Sequence, residues 1–169
     1  FVFEGLAEAV AVNFDADKVL LIELNQTLSP EEALILFDQS DHYGTKLEAM
    51  LQVRKDTSLT GWELMSLASK DEFDSFRKLS FYFSTNKEYA KTEENKTYLL
   101  EKYKKDPSPE VRVAIVSTLY NIWNEDSSLI SFYKKALMDS SINVKLTALN
   151  IINALAREDA LLRAHELEK

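Results

Sequence analysis

The chain has 169 residues, of which 46% are hydrophobic and 28% are charged, the composition of an ordinary globular protein. It contains no cysteine, which excludes disulfides, thiolate metal sites and a cysteine nucleophile. The formal net charge of −8 disfavours a nucleic-acid partner, because phosphate binding needs a basic surface. No stretch approaches the ~20 apolar residues of a transmembrane helix, so we predict no membrane span.

Residues 1–27 have the pattern of two β-strands. Apolar residues alternate from Val10 to Phe14, a short acidic break follows at residues 15–17, and an apolar run then begins at Val19. This order predicts a β-hairpin. Because an isolated hairpin is marginally stable in water, we expect it to belong to a larger sheet. The chain also begins with phenylalanine, and we expect it to be part of a longer polypeptide.

From residue 28 onwards the chain has the pattern of helices. Ser29 can cap the first helix, Pro30 suits its first position, and Glu32 can complete a capping box. We expect four units, each made of two helices joined by a short turn. The predicted first helices span 30–38, 59–69, 94–105 and 127–138, and the predicted second helices span 44–54, 72–84, 109–124 and 141–157. The chain is therefore divided into a hairpin at 1–27 and a helical domain at 28–169.

The helical part contains a repeat, which is clearest in its last third. The segments DPSPEVRVAIVSTLYNI and DSSINVKLTALNIINAL start 33 residues apart, at Asp106 and Asp139. Projecting this spacing towards the N-terminus finds Asp71, 35 residues before Asp106, and then Asp38, a further 33 residues back. Similarity at a fixed period is typical of stacked helical arrays, in which neighbouring units bury one another's apolar faces.

A basic residue follows three of these aspartates at the same distance. Arg77, Arg112 and Lys145 each lie six positions after the turn aspartate of their unit. The helix dipole favours a carboxylate at a helix N-terminus, and the basic side chain can pair with that carboxylate or with the one in the neighbouring unit. These residues resemble the HEAT repeat, whose second helix begins with a D-x-x-x-x-V-R pattern. The resemblance implies an all-α fold, a right-handed α-α superhelix (a HEAT/ARM-like solenoid) of about four helix pairs, preceded by the short β-hairpin.

Few residues suit catalysis or metal binding. The C-terminal segment HELEK starts at His165, but Lys169 occupies the position where a zinc-binding H-E-x-x-H helix needs its second histidine. Asp38, Asp41 and His42 lie together near a turn, where capping and turn formation explain them better than cation binding does. There is no glycine-rich phosphate loop or nucleophile motif. We predict no catalytic, cofactor-binding or metal-binding residue in this chain.

Two larger groups of side chains have structural interpretations. Aromatic residues at helical spacing are expected to be mainly core; they are Trp62, Trp123, Tyr120, Phe81, Phe83 and Tyr133. Six lysines are interleaved with glutamates and are expected to form a solvated mixed-charge surface; they are Lys87, Lys91, Lys96, Lys102, Lys104 and Lys105.

The junction between hairpin and helices resembles that of a known family. The stretch VNFDADKVLLIELNQTLSPEEALILFDQSDHYGTKLEAM is similar to the junction in aminopeptidase-N-type zinc metallopeptidases, particularly bacterial ones with a HEAT-like C-terminal region. In that family a β-sandwich domain ends in a V-x-F-D-A-x-K-V-L-L strand pair, and a D-R-x-E-A helix opens the helical domain. Thr45 and Lys46 replace the Asp-Arg of that helix, so the salt bridge of its arginine is not implied. The matching residues are Val12, Phe14, Asp15, Ala16, Lys18, Val19, Leu20, Leu21, Glu48 and Ala49.

This resemblance implies a role inside a larger enzyme. The hairpin would end an upstream β-sandwich domain, and the zinc site, an H-E-x-x-H motif with a distal glutamate ligand, would lie in an upstream catalytic domain. The present chain would be the non-catalytic C-terminal helical domain, which packs over the catalytic domain and restricts peptide access. Its partners would be that catalytic domain and the peptide from which the parent removes N-terminal amino acids.

Other functions remain open at this point. The leading alternative is a stand-alone HEAT-like scaffold for protein–protein interaction, which should begin with a polar-faced capping helix instead of a hairpin. A nucleic-acid-binding helical repeat is disfavoured by the net charge. An intrinsic enzyme is the weakest interpretation, because no pair of residues has catalytic spacing. The sequence does not decide between a cytoplasmic and a periplasmic or secreted location.

Overall fold

The computed structural model describes residues 27–85 and 88–167, apart from the side chains of residue 88 and residues 158–167. This part of the chain is all-α and contains no strand. The two strands predicted before residue 27 lie outside the described residues. The helices are α1 (Pro30–Gln39), α2 (Tyr43–Val53), α3 (Leu59–Ala68), α4 (Asp74–Ser84), α5 (Glu93–Lys105), α6 (Pro109–Trp123), α7 (Ile130–Ala136) and α8 (Ile142–Leu167), with 3-10 turns at Glu88–Ala90 and Ser127–Leu129.

Side-chain caps fix the starts of several helices. The predicted capping box of α1 is confirmed: the Ser29 N–H donates to Glu32 Oε2 at 2.8 Å, and the Glu32 N–H donates to Ser29 Oγ at 3.2 Å. Ser58 caps α3 and Thr92 caps α5, each accepting from the amide three residues later at 3.1 Å. These bonds satisfy amides that the first helical turn leaves without an intrahelical partner.

Each predicted unit is a pair of helices in contact. The pairs are α1 with α2, α3 with α4, α5 with α6, and α7 with α8. The connections between pairs change along the chain. The first helices α1 and α3 pack together near the N-terminus, whereas further along the second helices α4, α6 and α8 pack in succession. The change from contact between first helices to contact between second helices occurs at α4.

The same helix belongs to both hydrophobic cores of the described part. Phe76 on α4 lies in the first core, and Phe81 lies in the second. Because five residues separate them on one helix, they emerge in different directions, and each faces a different set of neighbours. The first core also contains Ala33, Phe37, Ala49, Met50, Val53, Leu64, Met65 and Ala68. The second contains Leu99, Val111, Ile115, Val116, Leu119, Tyr133, Val144, Ala148 and Ile151, among others.

The predicted helix bounds agree with the structure to within a few residues, with two exceptions. α7 is shorter than predicted, because its first turn is a 3-10 turn at Ser127–Leu129. α8 is longer and continues to Leu167. No glycine or proline interrupts the sequence after residue 109, so no residue there ends the helix early.

Candidate functional site

Ion pairs join the turn between the two helices of each later pair to the second helix of the pair before it. Arg77 on α4 donates from Nε to Asp106 Oδ2 at 2.8 Å and from Nη2 to Asp106 Oδ1 at 3.0 Å. Its Nη1 donates to the carbonyl oxygens of Asp71 and Glu72, at 3.0 and 2.7 Å. The arginine therefore binds its own turn and the turn of the next unit at once, through the bidentate geometry typical of arginine and carboxylate.

Arg112 on α6 repeats this arrangement one unit later. It donates from Nε and Nη2 to the two carboxylate oxygens of Asp139, each at 2.9 Å. Its Nη1 donates to the carbonyl oxygens of Asp106 and Pro107, at 3.1 and 3.0 Å. The sequence left open whether the basic residue pairs within its own unit or with the next. The structure shows that both arginines pair with the next aspartate.

In the ion pair between the first and second units, the basic residue is a lysine. Lys46 Nζ lies 2.8 Å from Asp71 Oδ2 and 5.0 Å from the centroid of the Phe37 ring. Lys46 is eight positions after Asp38, not six, and position 44 is a glycine. A lysine presents a point charge without the planar fork of arginine, so this contact has one carboxylate bond instead of two. We call Lys46–Asp71, Arg77–Asp106 and Arg112–Asp139 the ion-pair ladder.

Each ladder aspartate also caps the turn in which it lies. Asp71, Asp106 and Asp139 accept the backbone N–H two residues later, from Phe73, Ser108 and Ser141 at 2.9, 3.0 and 2.8 Å. The carboxylate thus fixes the turn before α4, α6 or α8 while it binds the preceding unit.

The ladder alters the pKa values of its groups. Burial opposes ionisation of Asp139, but hydrogen bonds from Arg112, the Ser141 amide and Tyr103 outweigh it and lower the pKa to about 2. The pKa of Asp106 is lowered in the same way, with Arg77 and the Ser108 amide outweighing burial. The hydrogen bond to Asp106 raises the pKa of Arg77. The pairs Arg77–Asp106 and Arg112–Asp139 are therefore charged near neutral pH.

A cleft opens where the first helices diverge. While the backbones of α4 and α6 pack closely, those of α3 and α5 are more widely separated, and the space between them is a cleft of about 440 Å³. We call it the α3–α5 cleft. It is lined by Leu59, Trp62, Met65, Ser66, Ser69 and Lys70 from α3 and its C-terminal turn, by Phe81 and Ser84 from α4, by Tyr89, Thr92, Glu94, Asn95, Tyr98 and Leu99 around α5, and by Thr118 from α6.

The hydroxyl groups on the floor of the cleft are bound within the protein. Thr118 Oγ1 donates to the Phe81 carbonyl at 3.0 Å, and Ser84 Oγ donates to the Ser80 carbonyl at 2.6 Å. Ser69 Oγ donates to the Ser66 carbonyl at 2.7 Å and lies 2.8 Å from the hydroxyl of Tyr98. These groups hold the helices in place. They are not presented to a ligand as activated nucleophiles.

The rim of the cleft is partly apolar and exposed. Leu59 and Tyr89 are both half exposed, and Trp62 is partly buried between them and the floor. Lys70 and Glu94 are exposed and place one charge of each sign at the opening. Burial raises the pKa of Tyr98, so its hydroxyl is neutral near pH 7. A cleft that combines apolar side chains with internally bonded hydroxyl groups and has a partly apolar rim suits binding of a peptide segment.

The structure places the sequence-derived candidates apart from this cleft. His42 is the N-cap residue of α2, and its amide donates to Ser40 Oγ at 3.1 Å. Asp38, at the end of α1, and Asp41, in the connection that follows, are both exposed. Among the described residues no group of three His, Asp or Glu could hold a metal ion. The side chain of His165 and all of Lys169 lie outside the described part.

The lysine prediction is confirmed only in part: Lys91, Lys104 and Lys105 are exposed, Lys96 and Lys102 are partly buried in ion pairs, and Lys87 lies outside the described residues. Lys96 pairs with Glu93 and Asp126, each at 2.7 Å, and Lys105 lies 3.7 Å from Glu101. Phe81, Trp123 and Tyr133 are buried in the second core, whereas Tyr120 and Phe83 are only partly buried. Trp62 is partly buried against the second core and, like Phe81, also lines the cleft, which sequence reasoning did not indicate. Helical spacing alone cannot distinguish a core position from a cleft wall.

Two further observations concern the chain as a whole. No described helix combines the length and the apolar character needed to cross a lipid bilayer. No family model matches the chain, and no significantly similar curated protein or solved structure was found.

Proposed function

We propose that this chain is the non-catalytic helical domain of a zinc aminopeptidase, in which the four helix pairs stack as a HEAT-like right-handed solenoid. The observation that carries the solenoid is the ion-pair ladder. One contact, from a basic residue on a second helix to the aspartate of the next turn, recurs at each of the three junctions between units. The repeated ion pair supports a superhelical stack, in which the helices that join successive pairs change at α4.

The aminopeptidase assignment rests on the N-terminal resemblance together with the α3–α5 cleft. The strand-pair motif around Phe14 and Lys18 precedes the helical region in the order found in that family. The cleft provides a partly apolar surface with charges of both signs among its lining residues, which suits a short peptide with an amine at one end and a carboxylate at the other. In this proposal zinc and its ligands belong to the upstream catalytic domain, and the helical domain packs over it and narrows access for peptides.

The proposal can be tested on the gene and on the protein. The reading frame upstream of Phe1 should encode H-E-x-x-H followed by a glutamate about twenty residues later. A frame without that motif contradicts the proposal. The isolated chain supplied with Zn²⁺ should show no turnover of an aminoacyl-p-nitroanilide, whereas the parent should. Turnover by the isolated chain would also contradict it.

A second candidate function is a stand-alone interaction scaffold. The observation that favours it is the exposed apolar rim of the cleft, at Leu59 and Tyr89, since exposed apolar groups gathered around a groove often mark protein-binding sites. The two candidates differ in one measurement. A scaffold should retain its partner when expressed without any upstream domain, whereas a peptidase domain should bind the catalytic domain of its own polypeptide.

A further inference from the structure

The exposed side of α8 carries a row of apolar residues around a lysine. Ile142, Leu146 and Leu149 are 64%, 49% and 43% exposed, and Lys145 lies among them. On a helix, positions separated by three or four residues share one face, so these four side chains form one surface. We call it the α8 outer face. The opposite side of α8, with Val144 and Ala148, is buried in the second core.

On α4 and α6 the position equivalent to Leu149 is buried, whereas the positions equivalent to Ile142, Asp74 and Pro109, are exposed. The residue four positions after the ladder arginine is Phe81 on α4 and Val116 on α6, which are 3% and 0% exposed. Arg77 and Arg112 point from the same faces to the next unit. Leu149 is the equivalent residue on α8, four positions after Lys145, and it is exposed. The face that receives the next unit on α4 and α6 is therefore apolar and open on α8.

Lys145 continues the charge pattern of the ladder. It lies six positions after Asp139, as Arg112 lies six positions after Asp106. Arg112 reaches the carboxylate of the following turn, whereas Lys145 has no ion-pair partner among the described residues. An apolar face with one cation in ladder register is complementary to a helical unit with an aspartate at its turn.

We propose that the α8 outer face is a docking surface for a further helix pair, supplied by a partner protein, whose inter-helix turn carries an aspartate that pairs with Lys145. This inference goes beyond the proposed function and does not depend on it. It rests on the continuity of the α4–α6 and α6–α8 contacts and on the charge of Lys145. A bound unit would cover Leu149, whose counterpart on α6, Val116, is buried in the second core.

The chain itself provides the probe. A synthetic peptide of residues 125–157 contains α7, Asp139 and the described start of α8, the unit that covers α6 in the fold. The free peptide does not have to be folded, because it can fold when it binds. Titration of the labelled peptide with the full chain, followed by fluorescence anisotropy, should give saturable binding. Leu149→Asp and Lys145→Glu in the chain should each weaken binding by at least roughly tenfold, since each removes a contact of about 1.4 kcal/mol or more.

Matched controls separate this surface from general effects. Leu51→Asp is the control for Leu149→Asp, at a similarly exposed leucine on α2. Lys55→Glu is the control for Lys145→Glu, at an exposed lysine near the end of α2. Both should bind the peptide as the native chain does. A charge exchange provides a positive test: the chain with Lys145→Asp should bind poorly to the native peptide and regain binding to the peptide with Asp139→Lys.

Several outcomes would overturn the proposal. The proposal fails if Leu149→Asp leaves peptide binding unchanged or if the control variants weaken binding equally. It also fails if the charge exchange does not restore binding. Self-association of the chain that Leu149→Asp abolishes would assign the face to a second copy instead and would equally refute a distinct partner.

A tethered version keeps the test decisive if the free peptide does not bind. A copy of residues 125–157 is joined after Lys169 through a flexible Gly-Ser linker, which raises its effective concentration. In this protein Leu149→Asp should lower the midpoint of thermal unfolding, whereas in the natural chain it should not, because Leu149 is exposed there. Equal effects in both proteins would show that the appended unit does not dock on this face.

Discussion

Arg77 and Asp106 are 29 residues apart in sequence, yet their side chains form a bidentate pair between α4 and the start of α6. Asp106 is only 5% exposed, so the pair is largely removed from water. In such an environment the attraction between the charges is offset by the cost of desolvating them, and the pair alone adds little stability. Loss of one partner is different, because it leaves a buried charge without compensation.

We therefore expect Asp106→Asn to lower the free energy of unfolding by about 3 kcal/mol, measured by urea denaturation. The matched control is Glu101→Gln, which breaks the exposed pair with Lys105. That change should cost less than about 0.5 kcal/mol, since exposed pairs contribute little. Similar effects of the two variants would contradict the structural role assigned to the ladder.

Acid should weaken the ladder through Asp139. Its pKa in the folded protein is about 2, below the ordinary value of 3.8. A carboxyl group with a lowered folded pKa stabilises the fold above its unfolded pKa, and this contribution is lost as the pH falls towards the folded value. Between about pH 4 and 2 the native protein should lose about 2 kcal/mol from this group.

The variant Asp139→Asn isolates this contribution, because asparagine does not titrate. The difference in unfolding free energy between the native protein and the variant should be constant above about pH 5 and should shrink as the pH falls to 2. Urea denaturation at several pH values measures it. Parallel curves over this range would show that Asp139 is not the group responsible.

Tyr133 offers a substitution that should not destabilise the protein. Its hydroxyl is buried and has no hydrogen-bond partner among the described residues, and burial raises its pKa. A buried polar group without a partner is unfavourable. Tyr133→Phe should therefore leave the unfolding free energy unchanged or raise it by up to about 1 kcal/mol.

Tyr103 is the matched control for this substitution. Its hydroxyl donates to Asp139 Oδ2 at 2.8 Å, so Tyr103→Phe removes a hydrogen bond to a charged acceptor. That variant should lose roughly 1.5 kcal/mol. If thermal unfolding showed equal destabilisation of both variants, the hydroxyl of Tyr133 would have to be bonded in solution.

The proposed role of the α3–α5 cleft can be tested in the parent enzyme. Tyr89 lies on the rim of the cleft and is 44% exposed, whereas Tyr82 on α4 is 37% exposed and does not line it. Tyr89→Ala should lower kcat/KM for peptides of about ten residues by roughly tenfold, the loss expected from one aromatic contact. It should leave kcat/KM for a single-residue chromogenic substrate unchanged. Tyr82→Ala should change neither value, and equal effects of the two variants would argue against binding in the cleft.

Much of the local structure could be predicted from the sequence. Ser29 and Glu32 predicted the start of α1. The absence of glycine and proline after residue 109 indicated that the last helices are long. These signals are local, because capping and helix propensity depend on residues within one or two turns. The spacing of Asp106 and Arg112 identified both residues, but it left open whether the arginine pairs within its own unit or with the next one.

The arrangement of the helices could not be predicted in the same way. Nothing near Trp62 distinguishes a core position from a cleft wall, since that depends on how far α3 and α5 diverge. The divergence follows from the change at α4, where contact between first helices gives way to contact between second helices. Such packing depends on many side chains distant in sequence. The partner of Lys46 was missed because its spacing from Asp38 differs from that of the later units.

The attachment of α4 to α6 determines what a ligand would encounter in the cleft. Two contacts fix α4 to α6 at separate points: the Arg77–Asp106 pair and the hydrogen bond from Thr118 to the Phe81 carbonyl. These two helices form the floor of the cleft. The floor of the cleft is therefore already ordered before a ligand binds. The ligand needs to order only the rim side chains of Leu59 and Tyr89, so little of its binding free energy is lost to rearranging the protein.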